Sequence, residues 1–212
     1  PDGSISNQLR PWHKTEFTAS PEDLLKERLY CIQWMRPKQK GKGFQYEFRS
    51  VSTQDLQREK IVQDYVSEHL AEWQEKGWVP DMRIEVGGPP RYQGLDLVRA
   101  RGWIYWHHVF NPRQLLVASL INRYTSSMLK FGFTQALNSN SRLSRWSAAD
   151  GGGGAVKQTF DTQALNTLFN YGTRASTYAV DLVRLRLKSF PLSSTLSLEI
   201  KSHEASALVE KS

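Results

Sequence analysis

The stretch Trp103–Leu116, WIYWHHVFNPRQLL, passes from a crowd of rings through Asn-Pro-Arg-Gln into apolar residues, and its reading decides the fold. Asn111 suits the position just before a helix, because its side-chain oxygen accepts from a backbone N–H that has no partner within the helix. Pro112 suits the first helical position, where the N–H it lacks would be unpaired anyway. Leu115, Leu116, Leu120, Tyr124 and Met128 then recur at helical spacing. The motif therefore predicts the entry to a long helix rather than a reaction centre, with the preceding rings packed against that helix. His107 and His108 are neighbours, so they diverge on a strand and lie about 100° apart on a helix. No spaced third ligand accompanies them, so they read as packing or hydrogen-bonding groups and no metal is expected.

On the N-terminal side, the segment 52–77 reads as the clearest helix. Ser52 or Thr53 caps it, Leu56, Val62, Tyr65, Val66, Leu70 and Trp73 form one stripe, and Gly77 ends it. Glu68, Glu72 and Glu75 read as solvated charges on its outer face. Before it, Arg28–Met35 and Phe44–Arg49 alternate as a β-hairpin, with Tyr30, Ile32 and Trp34 expected on the same face as Phe44, Tyr46 and Phe48. The connection carries Lys38, Lys40 and Lys42 on a glycine-flexed tip, where three ammonium groups repel one another unless an anion lies between them. A phosphate backbone satisfies that condition; a merely solubilising tip is the alternative. Residues 1–20 read as an irregular, mobile lead-in. Met82–Val86 is a short strand candidate, and VGGPP after it reads as a turn rather than a phosphate cradle.

On the C-terminal side, the helix, or a second one after a break near Gly132, is expected to run on through TQALNSNSRLSRW. It gathers Asn138, Asn140, Arg142 and Arg145 beside Trp146. That mixture suits phosphates, base edges and base stacking, while cations at a helix C-terminus also have a purely structural reason in the helix dipole. SAADGGGGAV reads as a flexible loop. Asp161 caps a short helix closed by Gly172. Arg184, Arg186 and Lys188 alternate with apolar residues as in a half-buried strand, although a helix is also open there, and STLSLEIKS reads as a strand.

Composition bounds the function. The chain has 212 residues, 39% hydrophobic and 23% charged, with a net charge of +7, which is ordinary for a globular domain. No run of 18 or more apolar residues is present to span a bilayer. The single cysteine, Cys31, excludes an internal disulfide and a cysteine-cluster zinc site, and with no export leader in view a reducing cytoplasm is expected. The charge is unevenly spread: Arg99–Lys188 holds twelve basic against three acidic side chains, whereas residues 51–98 hold five against nine. A cationic second half fits a surface that neutralises phosphates, although solvated basic helix faces also account for it.

Three blocks, YWHHVFNPRQLLVASLI, LNSNSRLSRW and VKQTFDTQALNTLFNYG, follow one another at a spacing that resembles the interior of large bacterial and archaeal adenine-specific DNA methyltransferases, some of which carry a zinc ribbon. The likeness covers roughly residues 24–212. Trp106, Phe110, Pro112, Arg113 and Gln114 match its first block, Asn140, Arg145 and Trp146 its second, and Phe160 and Gln163 its third. The zinc-ribbon cysteines are absent from this chain. The resemblance implies that the glycine-rich S-adenosylmethionine loop lies before Pro1, that the Asp-Pro-Pro-Tyr motif lies beyond Ser212, and that the chain between them is a target-recognition region.

The resulting expectation is an α+β, helix-rich region with an N-terminal hairpin, several amphipathic helices and C-terminal strands. Residues 1–20 form the lead-in, 21–98 the hairpin and acidic helix, and 99–212 the basic helical region with C-terminal strands, packed with the first part as one domain. Its partners are DNA and the rest of the methyltransferase chain, with no membrane. It binds no cofactor itself, holds no catalytic residue and is inactive alone, S-adenosylmethionine belonging to the parent. Expected DNA contacts are Lys38, Lys40, Lys42, Asn138, Asn140, Arg142, Arg145, Trp146 and Arg174. The rival expectation is a protein-interaction scaffold of a bacterial defence or modification complex. A self-sufficient hydrolase or metalloenzyme finds no nucleophile elbow, ligand spacing or paired-carboxylate loop.

Overall fold

A computed structural model of the chain describes residues 9–23, 26–41, 44–85, 98, 101–125, 133–134, 137–144, 146–147, 155–156 and 158–159. Within them the architecture is α+β: an antiparallel hairpin, β1 (Cys31–Pro37) and β2 (Phe44–Ser50); a long helix, α1 (Thr53–Glu75); a 3-10 turn at Trp106–Val109; a second helix, α2 (Pro112–Tyr124); and a two-residue antiparallel pair, β3 (Trp146–Ser147) and β4 (Ala155–Val156). None of the described helices is long and apolar enough to cross a membrane.

α1 starts on a reciprocal box. Ser52 Oγ accepts from the Asp55 N–H at 3.2 Å, and the Asp55 carboxylate accepts from the Ser52 N–H at 2.9 Å. It ends at Gly77, whose φ of +67° lies where side-chain-bearing residues are strained. There Trp78 N–H returns to Trp73 O and Gly77 N–H to Gln74 O, satisfying two of the last carbonyls. α2 opens with the same device: Asn111 Oδ1 accepts from Gln114 N–H at 2.9 Å and Gln114 Oε1 from Asn111 N–H at 2.8 Å, with Pro112 first in the helix.

The two helices pack on each other. Val66, Leu70 and Trp73 of α1 meet Leu115 and Leu116 of α2, joined by Phe17 and Val79, while Val62, Tyr65 and Leu120 close the flanks. Removing each large side chain from water contributes about 1.5–3 kcal/mol. Arg113 pairs with Glu59 across the helices, and the Asn122 amide donates to the Gly77 and Trp78 carbonyls. A second cluster gathers Trp12, Ile84, Val98, Trp103, Val109 and Leu143, and Phe110 touches both clusters.

Several expectations change. Residues 9–23 are irregular, but they are no loose lead-in: Phe17 is buried in the first cluster and Trp12 in the second. Arg10 holds both Glu16 and Asp23 through paired 2.8 Å bonds, so this segment is a strap across the core. The hairpin register sets Phe48 opposite Gln33 and Tyr46 opposite Met35, while Trp34 faces Glu47 and Ile32 faces Arg49. Opposed residues share a face, so Ile32 and Trp34 lie on the other face from Phe44, Tyr46 and Phe48, against the single apolar face expected. Leu56 is exposed rather than part of the α1 stripe, and Tyr124, the last residue of α2, is exposed too. Across 82–85, the described part of the Met82–Val86 strand candidate, there is one bridge rather than a strand, Arg83 to Tyr105, flanked by Ile84 N–H to Ile104 O and Trp106 N–H to Met82 O. Helical backbone stops at Asn138, and residues 139–144 form turns. β3 and β4 pair antiparallel, and the glycine-rich residues 148–154 between them lie outside the described residues. Met128, the Asp161 helix and the strands expected after it lie outside the described residues.

Candidate nucleic-acid interface

The second block folds inward. Arg142 stands in a turn whose backbone N–H bonds Val109 O at 2.8 Å, and its side chain has 0% exposure. Its guanidinium donates to the Glu27 carboxylate at 2.8 Å and to the carbonyls of His108 and Phe17 at 2.6 Å each. Trp12 and Trp103 lie against it, with centroids 5.4 and 5.6 Å from the guanidinium carbon. Arg142 therefore joins the strap, the paired histidines and the turn; the expectation that it grips phosphate is corrected by its burial. Asn140 is buried as well, its backbone N–H closing the turn on Leu137 O.

The histidine pair belongs to the same interior. His108 Nε2 donates to His13 O at 3.1 Å, and its Nδ1 accepts from the Ile104 and Tyr105 N–H groups. His107 Nε2 donates to Glu16 O at 3.2 Å, and its Nδ1 faces the Gln74 amide at 3.3 Å. Both rings are thereby neutral with one defined tautomer. Burial pushes His107 down to about 4, and burial together with the charge of its neighbour pushes His108 down to about 3. At the strap, hydrogen bonds from Arg10 hold the Glu16 and Asp23 carboxylates below their usual range.

The first block is also chiefly architectural. Asn111, Pro112 and Gln114 build the opening of α2, Arg113 ties it to α1, and the two leucines fill the core. Trp106 and Phe110 are different: with Asn138 they are among the residues that line an open cleft.

The described cations of the latter half do not gather in one groove. Arg101 is half-buried against Trp103, Arg113 is paired with Glu59, Arg142 is interior, and Arg123 lies over Trp78 and Tyr124 at 4.9 and 5.0 Å. The hairpin offers the clearer cationic surface. Lys38 and Lys40 are exposed at its tip, where Gly41 takes a φ of +86°, and no described carboxylate pairs with either. Trp34 is 44% exposed with Arg49 at 5.7 Å over its ring, and Phe48 is 58% exposed on the opposite face. Glu47, the carboxylate within the strands, is engaged by Arg49 and reached by Arg36. Trp34 and Arg49 were hidden in the sequence because the hairpin read as half-buried. Trp146 contributes backbone to β3, while Lys42, Arg145, Arg174, Phe160 and Gln163 lie outside the described residues.

No family model, no curated protein and no solved structure matches this chain.

Proposed function

We propose that this chain is a DNA-binding, target-recognition region of an S-adenosylmethionine-dependent adenine-specific DNA methyltransferase, with its hairpin as the principal contact. The observation that carries the binding role is the hairpin itself, whose tip lysines Lys38 and Lys40 pair with no described carboxylate and whose strands expose Trp34 and Phe48 on opposite faces. Lysines neutralise phosphates and release their counterions, and aromatic faces stack on bases whatever their sequence. The assignment to a methyltransferase rests on the three sequence blocks. The binding of S-adenosylmethionine and methyl transfer itself are assigned, on the same sequence resemblance, to other segments of the parent.

Fluorescence anisotropy of random-sequence duplex and single-stranded DNA tests the reading. Affinity is expected to fall steeply between 50 and 200 mM salt, on the order of 0.9 in log-log slope per phosphate contacted. Lys38→Glu with Lys40→Glu should flatten that slope by about 2. Absence of binding at low salt would overturn the proposal. The exposed apolar residues Leu56, Ile61 and Met82 favour the second reading, a protein-interaction scaffold, which tight, salt-insensitive association with a protein partner would then support.

A further inference from the structure

We propose that the β1–β2 hairpin enters the major groove of duplex DNA as a two-stranded ribbon, reading a guanine through Arg36 and an adenine through Gln45. This rests on the DNA-binding reading and deepens it, turning a cationic arm into a sequence-reading face. From Cys31 to Ser50 the arm carries five basic side chains against one acidic. Its two seven-residue strands, about 4.8 Å apart and about 24 Å long, match a groove about 12 Å wide that admits such a ribbon.

The register decides which face reads. Arg36 stands opposite Gln45, Trp34 opposite Glu47 and Ile32 opposite Arg49, so these six share one face. The other face, set by the pairs from Cys31 and Ser50 to Pro37 and Phe44, has no charged residue in its register. Glu47 is occupied by Arg49 through bonds of 3.0 and 3.1 Å, and Arg49 also lies over Trp34. Arg36 is left 4.0 Å from Glu47 with its side chain 61% exposed, and no described residue bonds the exposed Gln45 carboxamide. Directly opposed side chains start about 5 Å apart, a separation that spans neighbouring base pairs stacked about 3.4 Å apart. On paired edges the groove chemistry is distinct for each base. A guanidinium fork donates to O6 and N7 of guanine, and a carboxamide accepts from N6–H and donates to N7 of adenine; paired cytosine and thymine each offer a single polar group and support neither bidentate pairing. Lys38 and Lys40, beyond Arg36 at the tip, meet flanking phosphates. Other occupants fit less well. A second copy brings the same excess of cations, and Trp34 and Phe48, exposed on opposite faces, leave no single apolar face to lie on a lipid surface.

Selection of duplexes from a random-sequence pool by the intact chain, followed by sequencing of the bound fraction, tests this directly. The chain is expected to enrich a site with guanine and adenine at neighbouring base pairs, bound at least tenfold more tightly than the starting pool. Arg36→Gln should turn the guanine position to adenine, and Gln45→Ala should erase the adenine position alone; both side chains are exposed, so both variants should melt as the parent does. Lys38→Glu with Lys40→Glu should weaken all duplexes alike and leave the enriched sequence unchanged. Duplex binding without any enriched sequence, an enriched sequence unaltered by Arg36→Gln or by Gln45→Ala, or tighter binding of single strands than of duplex would overturn the ribbon and leave the DNA-binding reading standing. No binding of DNA in any form, or tighter binding of phosphatidylserine vesicles or polyglutamate than of any duplex, would sink that reading and the ribbon with it, so the two failures are distinguishable.

Discussion

Replacing Arg142 by methionine is expected to destabilise the core rather than to loosen a DNA contact. The substitution keeps much of the apolar stem but removes the donors that reach Phe17 O and His108 O. Two carbonyls left buried without a partner cost about 1–3 kcal/mol each, and the lost stacking between Trp12 and Trp103 adds about 1 kcal/mol more. Glu27, whose side chain is 49% exposed, turns to water and contributes little to the loss. The expected destabilisation is about 4 kcal/mol, against roughly 5–15 kcal/mol for a whole domain. At about 2–4 °C per kcal/mol for a chain of this length, melting should fall by about 8–16 °C. Urea unfolding followed by tryptophan fluorescence measures the loss. Glu27→Gln provides the contrast: the amide oxygen still accepts from Arg142 Nε and both carbonyl bonds remain, so the loss, which comes from removing the counter-charge of a buried guanidinium, should be smaller than that of Arg142→Met. If Arg142→Met melted within about 3 °C of the parent while DNA affinity dropped, the interior role would be refuted.

Three further outcomes follow from local geometry. The folded pKa values of His107 and His108 lie below the unfolded value near 6.5, so the unfolded chain binds more protons. Stability should then fall as pH drops from about 6.5 toward 4, by up to about 1.4 kcal/mol per pH unit per histidine. The carboxylates of Glu16 and Asp23, held down by Arg10, act with the same sign but lower on the scale; unfolding free energies that stay flat from pH 7 to 5 would contradict the neutral pair. Gly102→Ala places a Cβ 1.9 Å from the Arg10 carbonyl oxygen at a φ of +80°, so the strap must shift and soluble yield or melting temperature should drop sharply, whereas Gly77→Ala, with open space around it, should lose only about 1–2 kcal/mol. Asn111→Ala should cost about 1 kcal/mol through the α2 cap, measurable by chemical denaturation.

Both helices and their caps were legible in the sequence because capping and helical periodicity are local. Ser52, Asn111, Pro112 and Gly77 act through neighbours within five residues, and the α+β class follows from two such helices beside an alternating pair of strands. What stayed hidden depends on distant partners. Trp12 and Phe17 look like stray rings in a polar lead-in until Trp103 and Leu116 are beside them. Arg142 looks like a surface cation until Phe17 O, 125 residues away, is found at its guanidinium. The hairpin was recognised but its faces were misjudged, because strand alternation fixes a face only relative to a register, and register here is set by the turn. For the candidate site, the tip lysines were visible as a charge run, while the union of Trp106, Phe110 and Asn138 required the fold.

The most direct measurement for the central claim is zero-length photocrosslinking of 5-iodouracil-substituted DNA to the intact chain, with the adducts located by mass spectrometry. The account predicts crosslinks to the hairpin, at Trp34, Phe48 or Tyr30, suppressed by salt and by Lys38→Glu with Lys40→Glu. Adducts confined to other segments, or none under conditions where the DNA is bound, would contradict it.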